Sequence, residues 1–365
     1  MRTLAAFLVP LLALGTHAQE VRSFRQHDMG KWDIPAGNYS GIAHIDGDRY
    51  ALISDKQDAD GWTEVSIRFH PSGDIGGMQF IAHHYDAATR GQARDSEGIA
   101  YVPGQGFFVS AENDQQILEL TAEGVPTGRS LSVPDAFRRS NIFPNYGFEA
   151  LTYDAIGHRF WTTTEQGLKS DVGTLSGPSS PAPTLLRIQC FGSDMRPLEQ
   201  FAYMTEPPST VLKPKHYAFG VPELLAVDDT TLIVMERELS VPEGYHLARC
   251  TIRLFSVNTG KGKAISDTSL PLSTMRSEEF LLKKHLYSFT TEIRLAGRKN
   301  LANYEGMCLG PRLADGSQTL LLVSDSQGRV GNRLFRLKDY IKVIVIDRKE
   351  PLGHDQNEES ATGSF

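Results

Sequence analysis

Cysteine is scarce in this chain of 365 residues, with Cys190, Cys250 and Cys308 as the whole complement. An odd count leaves at least one thiol free and excludes a fully paired disulfide framework. Each falls in an expected strand, where a buried cysteine behaves as a small hydrophobe. Long helical periodicity is nearly absent, which excludes a helical bundle. Past the first 18 residues no segment approaches 18 uninterrupted apolar residues, so no membrane-spanning helix is expected. A basic excess is missing too. Lys and Arg number 37 against 44 Asp and Glu, a net charge of -7, the opposite of a nucleic-acid footprint.

Familiar catalytic signatures are also lacking. There is no G-x-S-x-G elbow and no H-E-x-x-H. The eleven histidines form no metal-ligand spacing, and His83-His84 reads as a strand end. Cys190 to Arg196 has the C-x5-R spacing of cysteine phosphatases. That loop needs a Gly-rich cradle opening a helix, whereas this cysteine ends a strand before a turn.

With 40% apolar residues the chain can bury a sizeable core. Met1-Arg2, the apolar stretch Leu4 to Leu14 and the small residues of Thr16-His17-Ala18 read as a secretory signal peptide over 1–18. Export to the periplasm or the outside is therefore expected. The charged segment 348–365 is poor in apolar residues and is expected to be disordered.

Between these ends a pattern repeats. It appears in S-G-I-A-H-I-D-G-D-R-Y-A-L-I-S-D (40–55), D-S-E-G-I-A-Y-V-P-G-Q-G-F-F-V-S-A-E-N (95–113) and E-A-L-T-Y-D-A-I-G-H-R-F-W-T-T-T-E (149–165). It returns in E-L-L-A-V-D-D-T-T-L-I-V-M-E (223–236) and E-G-M-C-L-G-P-R-L-A-D-G-S-Q-T-L-L-L-V-S-D (305–325). Each copy is an apolar run, a Gly/Asp turn and a second apolar run, bracketed by carboxylates except where Ser40 opens the first. A second pair of strands follows each: 65–70 with 78–85, 116–120 with 127–133, 184–191 with 198–204, 250–257 with 285–291, and 333–337 with 341–347. Four antiparallel strands per repeat is the arithmetic of a propeller blade. The expected fold is an all-β, single propeller over 19–347. Five blades are read from the repeats, and a sixth could hide in 166–222 or 258–304. Val21 to Ile34 is expected to add an outer strand at the closure.

In a propeller the first strand of a blade lines the channel and the second returns beside it. The bracketing residues then share one mouth: Asp55, Glu97, Glu112, Glu149, Glu165, Glu223, Glu236, Glu305 and Asp325. Like charges 4 Å apart repel by about 4 kcal/mol at an effective dielectric near 20. Raised pKa values, cationic partners or a metal can compensate. Bases beside the copies are Lys56, Arg94, Arg138, Arg139, Lys213, Lys215, Arg237, Arg329 and Arg333. An all-oxygen donor set suits a hard cation, with Ca²⁺ the natural one outside the cell. The competing reading is a ring of Glu–Arg pairs that staples the blades.

The motifs N-Y-S-G-I-A (38–43), D-S-E-G-I-A (95–100), N-Y-G-F-E-A-L-T (145–152), I-V-M-E-R-E (233–238), N-Y-E-G-M-C-L-G-P (303–311) and L-L-L-V-S-D-S (320–326) together resemble the phytase-like family, the "esterase-like activity of phytase" domain. The resemblance runs over roughly 38 to 340. It implies a secreted propeller acting on phosphate or other esters. On that basis a Ca²⁺-assisted phosphoesterase is expected, with Glu97, Glu149 and Glu305 as first candidates for catalysis and metal binding. Lys56 and Arg237 are candidate phosphate clamps. The alternatives are a Ca²⁺-dependent carboxylester or lactone hydrolase and a non-catalytic binding propeller. A small-molecule ester substrate and a monomer are expected, with no nucleic-acid partner.

Overall fold

A computed structural model describes residues 20–347, apart from 113, 211–213, 295, 298, 330 and 333–334. The expected signal peptide and tail lie outside the described residues. Five four-stranded antiparallel blades account for the sheet. Blade one runs Tyr39–Asp46, Arg49–Ser54, Gly61–Phe69 and Ile75–Tyr85. Blade two runs Ser96–Val102, Gly106–Ala111, Gln116–Leu120 and Pro126–Ser130. Blade three runs Phe148–Asp154, Arg159–Thr164, Leu185–Phe191 and Pro197–Met204. Blade four runs His216–Ala226, Thr231–Val241, Arg249–Asn258 and Lys283–Glu292.

Blade five closes the ring with both ends of the chain. Asn303–Arg312, Gln318–Asp325 and Tyr340–Ile346 form three strands, and Val21–Ser23 pairs antiparallel with the last as the outer edge. The expected N-terminal outer strand is there. The described part of the expected strand 333–337 is not the blade's third strand, however. Phe335–Arg336 pairs only with Gly331–Asn332 in a small separate hairpin, and Tyr340–Ile346 takes the third place. The run Ile341 to Ile346 is wholly buried, as a strand covered on both faces requires, and the N-terminal strand shields what would otherwise be an open edge.

The innermost strands of successive blades pack on one another around a closed ring, with the fifth against the first. Gly41 and Gly98 permit that closeness. A Cβ on Gly98 would lie 2.5 Å from the Glu149 carbonyl oxygen, and one on Gly41 would lie 2.7 Å from that of Glu97. Side chains of that size are excluded, so glycine follows the bracketing residue in both copies. Between the blades lie apolar layers such as Ile42, Tyr50, Leu321 and Val323 at the one–five boundary and Phe108, Phe148, Leu151 and Phe160 at the two–three boundary. No helix among the described residues is long and apolar enough to cross a membrane. Cys190, Cys250 and Cys308 are free and buried. Burial pushes the Cys190 thiol up to about 12, which removes it from consideration as a phosphatase nucleophile.

Candidate functional site at the carboxylate mouth

All five innermost strands break register at the same level. Ser40 is the extra residue between the Tyr39–Ser54 and Gly41–Ile53 pairs, Glu149 between Phe148–Thr164 and Ala150–Thr163, and Glu305 between Tyr304–Ser324 and Gly306–Val323. In blade two, Glu97 and Gly98 lie between Ser96–Ala111 and Ile99–Val109. Such bulges re-aim side chains. Here they face Glu97, Glu149 and Glu305 into one cavity of about 270 Å³, joined by Asp55, Glu165, Asp325 and Arg237.

Two groups of three carboxylates form within this mouth. Asp55, Asp95 and Glu97 bring ligand oxygens within 4.8 Å of one another, and so do Glu97, Glu112 and Glu149. Glu97 belongs to both. It is 8% exposed, and among the described residues its carboxylate has no hydrogen-bond or ion-pair partner. Asp55 Oδ1 is likewise buried and unpartnered.

Charge balance is poor. Of the nine bases named from the sequence, Lys56 and Arg237 reach the mouth's carboxylates. Lys56 Nζ lies 2.7 Å from Asp55 and 3.1 Å from Asp95. Arg237, 4% exposed, spans three blades, joining Glu165 of blade three to Glu305 of blade five, and donates to Asn303 Oδ1 at 2.9 Å. This part of the ring is a Glu–Arg staple. Arg94 pairs instead with Asp114, and Lys215 with Glu243. Lys213 and Arg333 lie outside the described residues.

The carboxyls respond to this crowding. Loss of water, then the charges of Glu305, Asp55, Glu112 and Asp95, push Glu97 well above the usual carboxylate range. Glu149 is pushed up by loss of water and by Glu97, Glu165, Glu112 and Glu305. Glu305 rises through burial and Asp325, against the pull of Arg237. Burial also raises Asp55 and Glu165. Glu112 and Asp325 each reach about 7, chiefly through burial.

Glu223 and Glu236 are not in the cavity. In blade four the bulge covers Val221 and Pro222, between the Gly220–Arg237 and Glu223–Met235 pairs, so Glu223 falls one position past it. Its carboxyl lies deeper, accepting from the backbone N–H of Leu151 at 3.2 Å and of Leu224 at 2.9 Å. Burial raises its pKa. Glu236 neighbours Arg237 in an extended strand, where successive side chains point to opposite faces. It therefore turns to the flank, accepting from Tyr203 at 2.6 Å, Glu206 N–H at 3.0 Å and Lys283 at 2.9 Å. Ser40 donates to the Ser96 carbonyl at 3.0 Å and adds no charge to the mouth.

Asp95 was not among the residues singled out from the sequence, nor were Tyr146, Tyr217 and Gln327, which line the cavity, or the buried Asn303 behind Arg237 and Glu305. Asp95 had a visible signal, an acid two residues before Glu97 that puts a third oxygen donor beside Asp55.

The donor set fits a hard cation: clustered carboxylates, an unpartnered buried glutamate shared by two groups, and a buried carboxylate oxygen with no donor. Asp55, Asp95, Glu97, Glu112 and Glu149 are the residues that could hold one.

A family model described as phytase-like, esterase-like activity of phytase, matches residues 34–327, and the chain belongs to that family. No curated protein matches the chain in sequence. Similar solved structures include an endo-arabinase from Bacteroides thetaiotaomicron, 11% identical with a TM-score of 0.44, over 87% of this chain and 95% of that one. An α-L-arabinanase from Penicillium chrysogenum is 11% identical with a TM-score of 0.41, over 90% and 99%. Virginiamycin B lyase from Staphylococcus aureus is 12% identical with a TM-score of 0.35, over 90% and 100%. Likenesses this distant say nothing of what this chain acts on.

Proposed function

We propose that this member of the phytase-like family is a Ca²⁺-dependent phosphoesterase whose active site is the carboxylate mouth, hydrolysing R–O–PO₃²⁻ and water to ROH and inorganic phosphate. The observation that carries the reading is the pair of three-carboxylate groups sharing Glu97, at a cavity lined by six carboxylates and one cationic side chain, Arg237. Such a mouth repels a phosphate ester unless its charge is offset, and bound Ca²⁺ would supply that offset together with Lewis-acid activation of water.

The chain's own residues divide the remaining work. Glu97, Glu149, Glu112, Asp55 and Asp95 hold the cation. Glu305 takes both of its contacts, from Arg237 and Asn303, on Oε1. Its Oε2 is left to accept the proton of the attacking water. Arg237 lines the cavity and is fixed by its two terminal nitrogens to Glu165 and Glu305, which sets its positive charge where it can face a phosphoryl oxygen. Lys56 neutralises Asp55 and Asp95 on the rim and is the second phosphate clamp. Burial, which would lower its pKa, is outweighed by those two carboxylates, so it stays charged. Export through the N-terminal segment would put the site where Ca²⁺ is plentiful.

The test is a panel of phosphate monoesters, carboxylic esters and lactones, assayed in millimolar Ca²⁺ and in excess chelator. Phosphate release that needs Ca²⁺ supports the reading. Ca²⁺-dependent cleavage confined to carboxylic esters or lactones would move the chain to the alternative hydrolase class. No hydrolysis in either condition would leave a binding propeller.

A further inference from the structure

A second cavity, of about 470 Å³, opens on blade one beside the mouth. Two pairs of consecutive residues divide the spaces: Asp55 and Gln327 line the mouth, while Lys56 and Gly328 line the second cavity. It lies on the blade that offers Ser40 where blades two, three and five offer a glutamate.

The walls change character across this boundary. Pro35, Ala36 and Tyr85 form an apolar side, Ala59 lies beneath, and Lys56, Arg90 and Arg329 add positive charge. Asp58 is the one carboxylate among the described lining residues, and it pairs with Arg90 at 3.4 Å. Arg90 also stacks over the Tyr85 ring, 5.6 Å from its centre, which holds that ring as a wall. The size is that of a small-molecule pocket, and apolar walls with a few polar groups are how such pockets grip an organic body.

We propose that this cavity seats the alcohol portion of the ester, and that the preferred substrates are phosphate esters of aromatic or bulky aliphatic alcohols. The alcohol lies against Pro35, Ala36 and Tyr85 while the phosphoryl group reaches the mouth past Lys56. A compact substrate charged on every side leaves that wall without a partner. The proposal rests on the phosphoesterase reading for the mouth and adds the substrate class to it.

The experiment uses two non-hydrolysable probes, phenylphosphonate and methylphosphonate, titrated calorimetrically into the full protein in millimolar Ca²⁺. Phenylphosphonate should bind at least about tenfold more tightly, the scale on which a hydrophobic pocket discriminates by a single methylene. Tyr85→Ala removes the exposed ring, and Ala36→Asp places a carboxylate on the apolar side. Both positions are exposed, so melting temperatures should hold. Each variant should bring phenylphosphonate down to the methylphosphonate level and leave methylphosphonate unchanged. Equal binding of the two probes to the wild-type protein overturns the proposal while keeping the mouth as the phosphate site. A phenyl preference that survives both substitutions overturns it too. Failure of both probes to bind overturns the pocket and the phosphoesterase reading together.

Discussion

Glu236 and Arg237 are consecutive in one strand, yet they serve opposite sides of blade four. Arg237 reaches across the mouth to Glu165 and Glu305, and Glu236 reaches the flank to Tyr203 and Lys283. The alternation of an extended strand separates a residue of the cavity from a structural one, and the two can be told apart by substitution.

Arg237→Leu should cost about 3–5 kcal/mol in chemical denaturation at pH 8, because it strands two buried carboxylates without their cation. The loss should be smaller at pH 5, where Glu165 and Glu305, both already raised, can take up protons. Arg237→Lys should recover little, since one ammonium cannot span both partners as the forked guanidinium does. Equal losses at the two pH values would contradict the staple.

Glu236→Gln should cost about 1–3 kcal/mol through its weakened hydrogen bonds with Tyr203, Lys283 and the Glu206 N–H. The Ca²⁺-induced rise in melting temperature should persist at its wild-type size. A lost Ca²⁺ response would return Glu236 to the metal site.

The pH dependence of the metal-free protein has a definite sign. Glu112 and Asp325 are raised to about 7 from ordinary values near 4. A carboxyl raised on folding binds more protons folded than unfolded, so its contribution is full below the unfolded value and is lost as pH rises through the folded one. In chelator, stability should therefore fall between pH 4.5 and 7.5. Millimolar Ca²⁺ should flatten that fall, and a melting curve series across this range in both conditions checks it.

The propeller was legible because the blade repeat is written twice over, as apolar runs of strand length and as bracketing carboxylates. Asp55, Glu97, Glu112, Glu149, Glu165, Glu305 and Asp325 were placed together by that repeat, and the structure brings them to one mouth. Glu223 misled because E-L-L-A reads like E-G-I-A and E-A-L-T, while the blade-four bulge sits one residue earlier, at Val221-Pro222. Register at a bulge is set by cross-strand pairing, which a single strand's sequence does not display. The fifth blade's third strand was misplaced for a related reason. Both 333–337 and 341–347 are apolar enough, and pairing with Gln318–Asp325 and the N-terminal strand decides between them. The second cavity had no sequence signal, since its walls come from stretches of chain as far apart as Pro35 and Arg329.

Glu97 is the residue on which the account turns, and the most direct measurement is a calorimetric Ca²⁺ titration of chelator-stripped wild-type and Glu97→Gln protein at pH 7.5. Gln is nearly isosteric, so the variant should fold, with stability in chelator unchanged or higher as like-charge crowding is relieved. Wild type should bind Ca²⁺ and gain stability, about 2.7 kcal/mol at a hundred times the dissociation constant. The variant should bind at least about tenfold more weakly, because ligand charge count sets the affinity of such sites. Indistinguishable Ca²⁺ isotherms for the two proteins, or no binding to wild type, would contradict the account.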